Sequence, residues 1–281
     1  MLKLVVCIKQ VPMVSELPWD SKTGTLRREL ADGMMNPACR HALEAALQLK
    51  HEYGGHITAI TMGPPMAEEV LREAVAAGAD RGVLLTDRRM AGADTFVTSF
   101  ILAHAIQKEC PDFDLILCGC YTSDSETAQV GPQLAEELDI PGVAYVEHIE
   151  LDKHTFRMRR VSDNFLETLE MDAPGLITVT TQQYAPRYVS FAGVQDAFFD
   201  KADILTIGSD DLGLDPEMTG IKASPTKILD VYSPTAEKEN IVMKGAARKI
   251  VDQLFENFGD KISGAIGKDL KTHDHDEEEE E

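Results

Sequence analysis

Positive charge is scarce in this chain: 27 Lys and Arg stand against 48 Asp and Glu, a formal net charge of −21 at pH 7. Seven of the acids, Asp274, Asp276 and Glu277 to Glu281, sit in the C-terminal HDHDEEEEE, which leaves −14 on residues 1–272. A body so charged repels phosphate backbones wherever salt does not screen it, which argues against nucleic acid and anionic membrane surfaces as partners. The tail reads as a solvated, disordered end, and His273 and His275 within it are weak grounds for a metal site. Long apolar runs are missing too. None approaches the roughly 20 residues that cross a bilayer, so no membrane span is expected. The N-terminal MLKLVVCIKQVP carries no signal-peptide core with a small-residue cleavage site. Five cysteines, Cys7, Cys39, Cys110, Cys118 and Cys120, form no even secretory ladder, so a reducing cytoplasm is the expected compartment.

Familiar catalytic motifs are absent as well. An adenylating or ATP-hydrolysing enzyme would want G-x-x-x-x-G-K-[ST], and none occurs; nor does G-x-G-x-x-G follow the first strand, which runs into CIKQVP. No Ser–His–Asp set or carboxylate pair has a claim to catalysis, and His41, His51, His56, His104 and His148 read as helix-face or turn residues. Cys118 and Cys120 with Cys7 lack a second pair at ligand spacing, so they read as small buried hydrophobes. There is no internal repeat.

What is present is an alternating pattern in a 281-residue chain that is 43% hydrophobic, enough for one large domain or two ordinary ones. LKLVVCIK (2–9) is a short apolar run suited to a strand buried on both faces. WDSKTGTLRRE (19–29) predicts a small hairpin. A helix follows over 36–55, with Asn36 as cap, Pro37 at its first position and Gly54 as terminator. HITAITMGPP (56–65) is strand then turn. Helix 66–79 is expected to bury Val70, Leu71, Ala74 and Val75 and to stop at Gly78. GVLLT (82–86), a loop at 87–94, helix 95–109 and the strand DLILCG (114–119) continue the series. Such alternation implies right-handed crossovers and a parallel sheet covered on both sides. After Pro141, VAYVEHIEL, TFRMRRVS and NFLETLEM predict an antiparallel excursion that returns to the sheet through GLITVT. From about Gln182 to Pro234 there is little periodicity, and a surface course supported by a partner chain is expected. A last helix, about Met243 to Phe258, places Ile250, Val251, Leu254 and Phe255 on one stripe.

Parallel sheets bind ligands beyond the carboxyl ends of their strands, so the loops after Lys9, Met62, Thr86 and Gly119 should meet at one edge. The stretch CGCYTSDSETAQVGPQLAEEL (118–138) ends one such strand. Val130, Leu134 and Leu138 give its helix an apolar stripe, with Thr127 as the expected cap and Pro132 in an early turn. The free N–H groups of that first turn make an anion site. Gly131 would leave room for a phosphate, and Ser123, Ser125 and Thr127 could add hydroxyl donors. Asp124 and Glu126 oppose an anion unless they face away. Gly63 in TMGPP permits close backbone approach, AGADT offers a further helix start capped by Asp94 or Thr95, and Asn36 serves either as a cap or as an amide reading an adenine edge. The residues therefore describe a nucleotide-binding α/β protein without evident catalytic side chains, whose chemistry a bound redox cofactor would supply.

VVCIKQVP, NPACRHALEAALQLK, TMGPP, GADRGVLLTDRRMAGADT, DLILCG, ETAQVGPQLAEEL, APRY and GIKASPTK occur in an order that resembles the β subunit of electron-transfer flavoproteins over about residues 1–235. The resemblance implies a Rossmann-like, adenine nucleotide alpha hydrolase-like α/β domain with an antiparallel excursion, and a C-terminal arm packing on an FAD-bearing α subunit. It implies three segments: 1–195 holding the nucleotide, 196–272 as the arm, and 273–281 as the acidic tail. VSFAGVQDAFFD after Arg187 and Tyr188 lacks the Lys cluster of simple carriers, whose pocket holds AMP. It resembles the electron-bifurcating kind, as does TDRRMAGADT. In that kind a second FAD takes hydride from NADH and passes electrons to ferredoxin and, through the α-subunit FAD, to a flavin dehydrogenase of acyl-CoA or 2-hydroxy-acid type. By the same resemblance Cys7, Asn36 and Met62 would line adenine and ribose. Asp124, Thr127, Ala128, Gln129, Val130 and Gly131 would surround the phosphates, with Gly63, Thr95 and Thr98 towards the flavin. Arg187 to Asp203, with Phe191, Phe198 and Phe199, is the expected docking surface for the dehydrogenase. CYTSDSE (120–126) departs from the family's usual Arg-Gln-Ala-Ile-Asp-Gly-Asp, losing an Arg that could tune a flavin.

Overall fold

The structure, a computed structural model, describes residues 1–13, 19–20, 25–26, 32–199, 202–227 and 241–269. The first half contains β1 (Leu2–Cys7), β2 (Gln10–Pro12), β3 (Trp19–Asp20), β4 (Thr25–Leu26), β5 (Gly33–Met35), α1 (Pro37–Tyr53), β6 (Gly55–Met62), α2 (Glu68–Ala77), β7 (Arg81–Leu85), α3 (Thr95–Glu109), β8 (Leu115–Gly119) and α4 (Val130–Glu137). The second contains β9 (Gly142–Asp152), β10 (Thr155–Ser162), β11 (Phe165–Asp172), β12 (Gly175–Val179), α5 (Phe191–Phe198), β13 (Ile204–Ile207), α6 (Gly220–Ala223) and α7 (Ala247–Asp269).

Nine strands form one sheet in the order β11-β10-β9-β12-β8-β1-β6-β7-β13. From β9 to β13 all neighbours run parallel, while β9, β10 and β11 form the antiparallel excursion. The chain returns as β12 between β8 and β9, as the sequence pattern anticipates. The pattern explains the difference between the two regions. Every residue of GLITV is buried, as both faces of the parallel part are covered, whereas TFRMRRVS buries Phe156 and Met158 and exposes Arg157 and Arg159. In β1, Leu4 and Val6 join Leu43, Leu47 and Leu71 of α1 and α2, while Val5 and Cys7 face Ile101, Ile106 and Leu134 of α3 and α4. The strand's two-residue period thus feeds two cores, one on each side. The hairpin expected at 19–29 is present as β3 paired with β4.

Several expectations need correction. Helix α4 starts at Val130, not after a cap at Thr127. Pro132 decides this: at the third helical position its missing N–H is one that has no intrahelical partner anyway, whereas a start at Ala128 would require that N–H to bond the Ala128 carbonyl. On α2, Ala76 is buried and Val75 only half-buried. The aperiodic stretch after Gln182 contains α5 and a ninth strand, β13, which pairs with β7. Neither leaves a readable pattern, because α5 buries Ala197 alone and β13 is a four-residue edge strand with one buried residue.

Met1–Val231 form one compact unit and Tyr232–Glu281 a second. In the second, α7 begins at Ala247, later than expected, and Val251, Leu254 and Phe255 on it are exposed. The acidic tail lies outside the described residues. Among those described, no helix is long and apolar enough to cross a membrane.

Candidate functional site

Because β1, β6, β7 and β8 run parallel, their carboxyl ends share one edge of the sheet. Helix starts gather there. Gly119, at the end of β8, lies so close to the first turn of α1 that a Cβ on it would sit 2.6 Å from Ala38 C and 2.7 Å from Cys39 N. Thr95 Oγ1, at the start of α3, donates to Gln129 Oε1, at the start of α4, over 2.9 Å. Gly63, after β6, donates its N–H to Leu85 O, and a Cβ there would press Ala67 Cβ at 3.0 Å.

These helix starts are not alike. Asp94 caps α3, accepting from Val97 N at 3.0 Å and also from Thr226 N at 2.8 Å. Burial pushes the Asp94 carboxyl up, but these hydrogen bonds outweigh it and hold it below its ordinary value. The positive end of α3 is therefore already answered. At α4, Gln129 makes no capping bond. Among the described residues, none of the backbone N–H groups of Thr127, Ala128, Gln129, Val130 and Gly131 meets a protein acceptor. Glu126 and Ala128 adopt left-handed backbone, φ 49° and 55°, and Gln129 returns to φ −94°, ψ −29°. A left-handed residue followed by a right-handed one turns successive N–H groups into a concavity that suits an anion. For residues other than glycine that conformation costs roughly 1–2 kcal/mol each. A run of open amides, strained backbone and an uncapped dipole fits a phosphate-bearing cofactor.

The loop before this run is pinned at two places. Asn36, fully buried, donates from Nδ2 to Tyr121 O at 2.8 Å and accepts from Ser123 N at Oδ1 at 3.0 Å. Lys9 Nζ lies 2.8 and 2.9 Å from the two carboxylate oxygens of Asp124. Burial pushes the Asp124 carboxyl up, but Lys9 outweighs it and keeps it below its ordinary value. Lys9 thus offsets the one carboxylate that the loop folds inward. Below the loop, thiols collect. Hydrogen bonding to Cys7, then burial, raises Cys118 well above its ordinary value, and burial raises Cys39 and Cys120. Protonated thiols are poor nucleophiles and ligands. Among the described residues no group of three or more His, Cys, Asp or Glu is placed to hold a metal ion.

Residues 23–202 match the electron transfer flavoprotein domain. The chain is 39% identical over 260 residues to electron transfer flavoprotein subunit beta of Thermoanaerobacterium thermosaccharolyticum, spanning 92% of this chain and 99% of that one. It belongs to the electron transfer flavoprotein β-subunit family. It is also 43% identical over 238 residues to subunit CarD of the caffeyl-CoA reductase-Etf complex of Acetobacterium woodii, 84% of this chain and 89% of that one. A third relative, acryloyl-CoA reductase electron transfer subunit gamma of Anaerotignum propionicum, is 36% identical over 264 residues, 92% and 99% of the two chains.

Within this β-subunit fold the residues singled out from the sequence fall into groups. Thr95 and Asp124 to Gly131 come together around the paired starts of α3 and α4. Thr98 is half-buried one turn into α3, Met62 half-buried at the end of β6, and Cys7 buried at the end of β1. Gly131 has a packing duty, since a Cβ there would meet Thr178 Cγ2 of β12 at 2.5 Å. Three features escape a reading of the sequence. Lys9 is an isolated cation at a strand end, which could have drawn attention. The left-handed Ala128 could not, because nothing in alanine signals it. The third is a buried carboxylate: Glu44 of α1, 5% exposed, accepts from Arg187 Nε at 2.7 Å and Nη2 at 2.9 Å. With His41 Nδ1 2.6 Å from Gln183 O, this pair straps residues 183–187 onto α1.

Proposed function

We propose that this β subunit holds FAD at the sheet edge and transfers electrons from NADH to ferredoxin and, through an α-subunit FAD, to a flavin dehydrogenase of acyl-CoA type. The observation that carries the reading is the run of unpartnered amides from Thr127 to Gly131 beside the uncapped start of α4. In this reading those amides hold the diphosphate, Cys7, Asn36 and Met62 flank the adenosine, and Gly63, Thr95 and Thr98 lie towards the flavin ring. The bound flavin would supply hydride acceptance and single-electron transfer. The chain's own residues bind and orient it, and the fixed dipole at the uncapped start of α4 biases its potential.

The choice of an acyl-CoA type partner is supported by two relatives, one named as a caffeyl-CoA reductase complex subunit and one as an acryloyl-CoA reductase electron transfer subunit. Tyr188, Phe191 and Phe199 are 101%, 96% and 82% exposed, as a docking surface for that dehydrogenase would require. The exposed apolar residues of α7 suit an arm, 196–272, that packs on the α subunit.

Co-expression with an α subunit, acid release of ligand and an absorption spectrum test the proposal. Two flavins per heterodimer are expected. One flavin with AMP would assign the chain to the simple electron carriers, and a colourless nucleotide with no stable α partner would overturn both.

A further inference from the structure

Asn36 stands where a helix cap belongs and does not act as one. It precedes Pro37, the first residue of α1, yet its side chain makes no capping bond. Here the amide turns away across the sheet edge, to a loop 85 residues on in the chain. Nδ2 donates to Tyr121 O at 2.8 Å and to Cys39 Sγ at 3.3 Å, and Oδ1 accepts from Ser123 N at 3.0 Å. The residue is 0% exposed. Both N–H donors and one of the oxygen's two lone pairs are thereby engaged within the protein. Its backbone is fixed as well, with N–H donating to Lys9 O at 2.9 Å and C=O accepting from Cys39 N at 2.9 Å.

Asn36 therefore ties three pieces of the edge together: the end of β1 through Lys9, the first turn of α1, and the loop leaving β8. Lys9 reaches the same loop at Asp124. The loop so tethered runs directly into the left-handed residues Glu126 and Ala128 and the open amides that follow. Strained backbone persists only where its surroundings over-determine it, and these two long-range tethers join the loop's own bonds, among them Glu126 N to Thr122 O at 2.8 Å, in holding the approach to it.

We infer that the Asn36 side chain is a positioning group for the phosphate-holding run 127–131, acting through the backbone of Tyr121 and Ser123. The inference rests on the nucleotide-binding reading above. It assigns the side chain a task distinct from reading an adenine edge, since both its N–H donors are already engaged by the protein. Lys9 assists from the solvent side through Asp124.

The test uses the full chain co-purified with its α subunit, stripped of nucleotide, with amide hydrogen exchange followed over 120–131 and FAD and AMP titrated by calorimetry. In N36A, exchange of the Ser123 amide and its neighbours should accelerate at least tenfold, with the change confined to that loop. Affinity for whichever nucleotide binds should fall roughly tenfold, the equivalent of one or two lost hydrogen bonds. K9M, a solvent-side change that leaves the core intact, should show the same signature more weakly. N36D, which keeps the bond from Ser123 N but places a carboxylate oxygen against Tyr121 O, should fall between the unaltered protein and N36A. Visible circular dichroism of rebound flavin should shift in N36A and recover part-way in N36D. Weakened affinity with unchanged loop exchange would show that Asn36 contacts the ligand directly, and faster exchange with unchanged affinity would show that the tether does not matter to binding; either overturns the inference alone. Failure of the unaltered complex to bind any nucleotide would overturn the functional reading and this inference with it.

Discussion

Replacing Arg187 with Met should lower the stability of the first compact unit by roughly 2–3 kcal/mol, because it leaves the buried Glu44 carboxylate without its charged hydrogen bonds. Glu44 is the partner left behind: its side chain is 6% exposed, against 42% for Arg187. In the unaltered chain burial pushes the Glu44 carboxyl up, but hydrogen bonds from Arg187 and Gln48 together with the guanidinium charge outweigh it. They hold it below its ordinary 4.5. The pair's contribution is then fully present above about pH 4.5 and is lost as pH falls through the depressed value. In R187M burial is opposed only by Gln48 and the long bond from the residue 187 backbone N–H, and the Glu44 carboxyl should move above its ordinary value. The folded state then favours the protonated form, so the variant's deficit should grow as pH rises from about 4.5 and shrink in acid. Urea melts at pH 4 and pH 8 distinguish these opposite slopes. The double variant E44Q/R187M, with no charge to bury, should recover most of the loss. Equal deficits at both pH values would mean that the pair is not buried as described. The functional consequence follows from where the strap leads. Residues 183–187 pass directly into α5, where Ser190 Oγ accepts from Gly193 N and Arg72 Nη1 donates to Ala197 O, so loosening the strap should also weaken the dehydrogenase docking proposed for this surface.

Gly119→Ala should be as damaging, for a steric reason. The added Cβ would fall 2.6 and 2.7 Å from backbone atoms of α1, which cannot swing aside as a side-chain tip can. Either α1 lifts from β8 or the strand end bends, and overpacking of this kind costs about 3 kcal/mol. For a unit of this size that corresponds to a melting temperature roughly 6–12 °C lower. Asn36 and Cys39 sit on the displaced turn, so retention of nucleotide should fall together with stability. By contrast, Gly259→Ala on α7, where an added Cβ meets nothing within 4 Å, should leave both unchanged. A G119A protein with unaltered melting temperature would show that α1 does not approach β8 so closely.

The sheet was legible in the sequence because its strands are either buried on both faces, as LILCG and GLITV, or alternate cleanly, as TFRMRRVS; both patterns follow from how many faces are covered. Helices α1 and α3 were legible from their end signals, Asn36-Pro37 with Gly54 and Asp94 before Thr95. What failed to show was whatever lacks a buried stripe. β13 is one turn of the pleat at an edge, and α5 rests on α2 through Gly193, where a Cβ would strike Ala76 O at 2.3 Å. At the candidate site the neighbourhood was readable and the detail was not. The apolar stripe Val130, Leu134 and Leu138 gave the helix, but its start depended on weighing Pro132 against a plausible cap at Thr127. The tethers of Asn36 and Lys9 are contacts between residues 85 or more apart in the chain, which no local pattern reports.

In the function proposed here the amides of Thr127 to Gly131 grip the diphosphate of FAD. Residue-resolved amide exchange of the α-subunit complex, with and without FAD, measures those five groups directly. Strong slowing at 127–131 on binding, beyond that at the starts of α1 and α3, is the predicted result. Unchanged exchange across 127–131, with protection appearing elsewhere on the sheet edge, would contradict it.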